Sequence, residues 1–129
     1  LGHGFIPEPI HAGGLRYHGM APLVSHIYEL GLVEAISIPQ KECFSGALDF
    51  ARMEGIVPAP EPTHAIAAAV REALACKESG EEKVILTALC GHGHLDLASY
   101  DKYLNGEMVD ADLSDEVIAK AMEAVPVIA

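Results

Sequence analysis

Between residues 40 and 54 the apolar side chains recur at helical spacing. Phe44, Ala47, Leu48 and Ala51 fall at i, i+3, i+4 and i+7, one face of a helix with 3.6 residues per turn. Gly55 stops the pattern. A second face, Ile66, Val70, Ala73 and Leu74, predicts a helix over 63–77, with an alanine-rich remainder suited to close packing. Ser79-Gly80 ends it. Shorter helices are predicted over 21–30, with Pro22 near its start and Gly31 at its end, and over 96–103. A last one spans 115–124, where Ser114 is placed to cap and Asp115 and Glu116 sit in the first turn. Its stripe is Val117, Ile118, Ala121 and Met122.

Two runs read differently. Residues 32–38, LVEAISI, read as a strand bounded by Pro39. Residues 83–89, KVILTAL, are almost continuously apolar, as in a strand covered on both faces. Strands alternating with helices predict an α/β fold with parallel pairing. Residues 1–19, rich in Gly, Pro and His, keep no period and read as irregular chain. The expected organisation is an irregular segment at 1–19, an α/β core at 20–104 and an extension with a helix at 105–129.

Composition narrows the function. The 129 residues carry 8 basic and 19 acidic side chains, a net charge of −11 that argues against nucleic acid and anionic membrane surfaces. No apolar run reaches the roughly 18 residues of a transmembrane span, and Pro7 and Pro9 interrupt any signal-peptide core. Cys43, Cys76 and Cys90 form no framework and fit free thiols in the cytoplasm. Mean hydropathy is +0.25, high for an isolated soluble domain, and implies surfaces that pack against something else.

The chemistry-bearing residues gather where the apolar run 83–89 breaks into Cys90-Gly91-His92-Gly93-His94. In open α/β sheets ligands bind just past the carboxyl ends of strands. Cys90, His92 and His94 carry ligand types that suit zinc, yet no other Cys or His pair stands at finger spacing to complete four ligands. Gly91 and Gly93 allow positive φ and close approach of the backbone to a ligand, but the spacing fits neither a P-loop nor a dinucleotide fingerprint. Glu61 falls just before the predicted helix at 63–77, where a carboxylate is stabilised whether or not it serves a site. Arg16, in the glycine-rich GGLRYHG, is suited to an anionic group or to plain solvent exposure.

Three motifs in register, GGLRYHG (13–19), EGIVPAPEPTHAIAAA (54–69) and VILTALCGHGHLDL (84–97), make residues 12–104 resemble the C-terminal part of a tryptophan synthase β chain. The resemblance is closest to the second, longer class, also called tryptophan synthase β-like. It implies a fold type II enzyme dependent on pyridoxal 5′-phosphate, catalysing β-replacement of L-serine with indole to give L-tryptophan. It also implies a homodimer and a tryptophan synthase α chain as partners.

By the same resemblance, Glu61 matches a glutamate beside the cofactor's reactive face, a candidate for proton handling. Cys90 stands where the family usually has a serine bonded to the pyridine nitrogen; a thiol is the weaker donor. Gly91 beside it lets the backbone approach the ring. Tyr17 and Gly19 match positions whose backbone carbonyls bind a monovalent cation. Arg16 replaces an aspartate near the substrate serine, which points to a different β-substituted donor such as a phosphorylated serine. The family's Schiff-base lysine and phosphate loop match no residues here, so the chain alone is expected to be inactive. The competing readings are a non-catalytic interaction module of the same fold and a metal site at Cys90, His92 and His94.

Overall fold

The computed structural model describes residues 4–17, 19–111 and 113–126. Five α-helices follow a 3-10 turn at Gly13–Leu15: α1 (Pro22–Glu29), α2 (Gln40–Glu54), α3 (Pro60–Ser79), α4 (Leu97–Leu104) and α5 (Asp115–Met122). α2 has the predicted bounds. It ends at Gly55 and α3 at Gly80, both in the left-handed conformation at φ 70° and 74°, the helix stop that glycine adopts without a Cβ penalty. The predicted cap of α5 is present: the Ser114 hydroxyl accepts from the Val117 amide at 3.3 Å.

α3 begins three residues earlier than its apolar pattern implies. Pro60 can open a helix because the first turn needs no N–H from it, and the Thr63 hydroxyl closes that turn by donating to the Pro60 carbonyl at 2.6 Å. Glu61 therefore lies inside the first turn of α3, not before it.

α2 and α3 pack together as the centre of the molecule. Cys43, Phe44 and Ala47 of α2 and Thr63, Ile66 and Ala67 of α3 are buried. Arg71 clamps Glu42 across the pair with two bonds of 2.6 and 2.5 Å, holding the Glu42 carboxyl below its ordinary pKa. Phe44 anchors the core with Ala47, Tyr100 and Met108. The Tyr100 ring meets Phe44 edge-on at 5.0 Å and the Tyr103 ring stacks on it at 5.8 Å, both favourable aromatic geometries.

Met108 carries the chain beyond α4 back into this core. Just after it, Asp110 accepts from the Lys41 amide at 3.0 Å, and the Gln40 side chain donates to the Val109 carbonyl. Pro39, at the N-cap of α2, makes no side-chain cap bond. A carboxylate distant in sequence thus satisfies one of the amides that every helix start leaves open.

The two expected strands are not paired. Among the described residues the β contact is one isolated antiparallel bridge, Pro58 with His92, and residues 32–38 and 83–89 belong to no ladder. Ile85 and Thr87 line a shallow depression with Phe50, Ile66 and Val70, whereas Val84 and Leu86 are 99% and 95% exposed. A strand exists only through bonds to a neighbour, and these described residues provide none. The same lack of cover leaves Val70 and Leu74 of the predicted α3 face exposed. Along α1 every residue is exposed.

Candidate functional site

The site forms where the start of α3 meets two glycine-bearing loops. The Ala59 amide donates to the Gly91 carbonyl at 3.1 Å, and the Gly93 amide donates to the Val57 carbonyl at 2.7 Å. These bonds lay the turn after Cys90 directly along the segment that enters α3. Both glycines are required, for different reasons. Gly91 has φ 131°, a conformation that side chains disfavour. Gly93 lies against the Pro58 carbonyl, and a Cβ there would collide with its oxygen.

The second loop arrives from the N-terminal side. The Gly14 amide, within the 3-10 turn, donates to Glu61 Oε1 at 2.8 Å. A Cβ at Gly14 would stand 2.9 Å from that oxygen, so the approach depends on the missing side chain. Glu61 is half-buried. Its carboxylate is aimed by this amide and favoured by its place in the first turn of a 20-residue helix. Ala59 follows Pro58 and precedes Pro60, so the Cys90 turn and Glu61 share one edge of the fold.

Around them the remaining candidates are more open. Cys90 is an exposed free thiol. The Arg16 guanidinium donates to the Pro7 carbonyl at 2.7 Å. With Phe5, Glu8, Leu15 and Tyr17 it lines a cleft of about 420 Å³. Tyr17 is 66% exposed, and Gly19 is exposed with open space beside it. The structure joins Glu61 to the glycine turn through the 57–59 segment; Arg16 and Tyr17 lie one step further along the Gly14 loop.

The zinc reading finds no geometry. Among the described residues no group of three or more His, Cys, Asp or Glu side chains is placed to hold a metal ion. His92 and His94 turn toward each other instead, ring centroids 4.8 Å apart, with the His94 amide donating to His92 Nδ1 at 3.3 Å. His64 Nδ1 is spent on the Pro60 and Glu61 carbonyls, both at 3.2 Å.

Four residues to which the sequence assigned no role at this edge support it. The Tyr100 hydroxyl donates to the Pro58 carbonyl at 2.5 Å. Ser99 Oγ pairs with His11 Nδ1 at 3.1 Å across 88 residues, and the His11 amide reaches Gln40 Oε1 at 3.5 Å. No local signal marks such partners, because spacing along a chain says nothing of contacts so distant. Among the described residues no helix is long and apolar enough to cross a membrane.

No family model matches the chain. Individual relatives match strongly. Tryptophan synthase beta chain 2 of Aquifex aeolicus is 64% identical over 110 residues, which is 85% of this chain and 25% of the relative. Its namesake from Methanosarcina mazei is 62% identical over 108 residues, covering 84% and 24%. That of Pyrococcus furiosus is 48% identical over 126 residues, covering 98% and 28%. Most of the chain is therefore homologous to the tryptophan synthase beta chains, and it spans about a quarter of the length of the relatives it matches.

Proposed function

We propose that the chain is the C-terminal part of a pyridoxal phosphate-dependent tryptophan synthase β chain of the second class, a fold type II lyase. The reaction is β-replacement of L-serine, or a related β-substituted serine, with indole to give L-tryptophan. The observation that carries the reading is identity of up to 64% with tryptophan synthase beta chain 2 proteins. It is joined by a carboxylate, Glu61, held at the same edge as a glycine turn that bears a thiol.

The donor set suits one wall of a pyridine-ring site. Gly91 presents backbone without a side chain, and Cys90 next to it offers a weak donor suited to an unprotonated ring nitrogen. When bound, the cofactor supplies the electron sink for β-replacement. This chain's residues do the rest of the work on this wall. Cys90 and Gly91 orient the ring. Glu61 Oε1 is engaged by the Gly14 amide, so proton handling falls to Oε2. Arg16, on the loop that carries Gly14, supplies positive charge for an anionic donor substituent. The backbone carbonyls of Tyr17 and Gly19 hold a monovalent cation.

The remainder of the reading follows from the same kinship. The parent polypeptide works as a homodimer, with an α chain as a further partner and indole as acceptor. Free Cys43, Cys76 and Cys90 suit a reducing compartment, the cytoplasm. The 129 residues alone neither bind the cofactor covalently nor turn over substrate, because nothing in them matches the family's lysine or phosphate loop.

The deciding experiment places Glu61→Gln in the complete polypeptide that carries this segment. Loss of about 10²–10⁴-fold in kcat for tryptophan formation supports the reading. Retention of the full rate, or a complete polypeptide with no tryptophan-forming activity at all, overturns it. The second outcome is what a non-catalytic interaction module predicts.

A further inference from the structure

We infer that the His11–Ser99 pair is a positioning device for the Glu61 carboxylate, a role that rests on the catalytic reading above. Glu61 is aimed by one backbone donor, the Gly14 amide at 2.8 Å. That amide sits in a 3-10 turn opened by Ala12, which is 3% exposed and whose carbonyl accepts from the Leu15 amide at 3.0 Å. The residue before Ala12 is His11, and its ring is held on two sides. Nδ1 pairs with Ser99 Oγ at 3.1 Å, and the ring edge meets Phe44 at 6.2 Å between centroids. The His11 side chain thus ties the turn that carries the Gly14 donor to α4 and to Phe44, beside the bond of its amide to Gln40 and the burial of Ala12.

The other end of the link makes the arrangement specific. Ser99 is in the first turn of α4, and its neighbour Tyr100 donates to the Pro58 carbonyl at 2.5 Å. Pro58 lies in the segment bonded to the glycine turn and leads into the helix that bears Glu61. Two consecutive residues of α4 therefore grip both segments that meet at Glu61. Ser99 holds the loop that donates to Glu61, and Tyr100 holds the strip that joins Glu61 to Cys90 and Gly91. The 3-10 turn packs directly on α3, and α4 adds a second tie between the donor's loop and the strip that leads to the carboxylate. The side chains of His11 and Ser99 bond to each other and not to Glu61 or Cys90, so they are positioning residues.

The test has two arms. In the complete polypeptide labelled with ¹⁵N-glycine, the response of the Gly14 amide proton shift to Glu61→Gln is read by NMR. Ser99→Ala is expected to reduce that response by about half or more, and Ser99→Thr, which keeps the hydroxyl, to restore it. In the complete holoenzyme, Ser99→Ala is expected to lower kcat about tenfold, with KM for the amino-acid donor unchanged and the pH profile of kcat displaced. His11→Asn, a second disruption at the other partner, is expected to follow the same pattern. A Ser99→Ala enzyme with wild-type kcat overturns the inference. So does one that loses kcat while the Gly14 response and the pH profile stay as in the wild type. Glu61→Gln in the same assays separates the two levels. If it loses activity while Ser99→Ala does not, the positioning role alone falls; if it keeps full activity, both fall.

Discussion

Gly14 donates its amide to Oε1 of Glu61 at 2.8 Å, joining two residues 47 positions apart. The bond exists because Gly14 has no side chain: a Cβ would stand 2.9 Å from Oε1 and 3.1 Å from Cγ of Glu61. It is not a device of backbone strain, since Gly14 is outside the positive-φ glycines.

Gly14→Ala separates aim from stability. Alanine adopts this backbone without penalty, and the atoms it meets belong to a flexible side chain that can swing away. Thermal or denaturant unfolding should therefore change by only about 0.5 kcal/mol. The Glu61 carboxylate is nevertheless displaced, and in the complete enzyme kcat should fall by about 10²-fold. A large loss of stability would show that the loop, and not the carboxylate, depends on Gly14.

Tyr100→Phe removes the hydroxyl that donates to the buried Pro58 carbonyl. Leaving that carbonyl unpaired should cost about 1–3 kcal/mol by denaturant titration. The same substitution alters alkaline behaviour. Burial, with a smaller contribution from Asp96, pushes the phenol from 10.0 up to about 12. Its protonated form is favoured in the folded state, so its stabilisation is intact below pH 10.0 and is lost as pH rises through about 12. Phenylalanine should flatten that upper part of the stability profile. An earlier decline should survive, because burial also raises the Cys43 thiol from 9.0 to about 11. An unchanged profile between the two phenol values would refute the assignment.

The chain after α4 is part of the core. Met108 is 3% exposed beside Phe44, and Asp110 accepts from the Lys41 amide at 3.0 Å. Met108→Ala should cost about 2–5 kcal/mol, the range for a buried large-to-small change. Asp110→Ala should cost about 1 kcal/mol, as for other lost helix-start partners. Chemical denaturation of the two variants checks both figures. If neither shifts the midpoint, this stretch does not pack as described.

Val84 and Leu86 are 99% and 95% exposed, on a segment with no ladder partner among the described residues. Uncovered apolar chain of this kind associates. Light scattering on the 129-residue chain should show mass rising with concentration, and the double change Val84→Lys, Leu86→Lys should suppress the rise. The same pair of lysines in the complete polypeptide should prevent correct folding, because there the run is expected to be covered on both faces. A wild-type chain that stays monomeric at every concentration would speak against this.

How much of this was legible depended on the range of the interaction. The bounds of α2, the glycine stops at Gly55 and Gly80 and the Ser114 cap were all readable, because each depends on neighbours within a turn or two. The start of α3 was not, since its apolar face begins at Ile66 and carries no sign that Pro60 opens the helix. The expected strands at 32–38 and 83–89 failed to pair for a different reason: β-propensity marks a segment fit for a ladder but supplies no partner.

The candidate site divides in the same way. Glu61, Cys90 and Gly91 stood out from residue type and motif, and the kinship with tryptophan synthase beta chains was visible in three short stretches. Their assembly was not. The Gly14 donor, the His11–Ser99 link and the Tyr100 grip on Pro58 join residues 47, 88 and 42 positions apart. The amino-acid order by itself determined which local elements form and which side chains carry chemistry, because propensity, caps and glycine conformations act over a few residues. Only the tertiary structure decided which loop aims the carboxylate and which helix holds that loop. Those contacts arise when α2, α3 and α4 close around Phe44 and bring distant backbone within hydrogen-bonding reach.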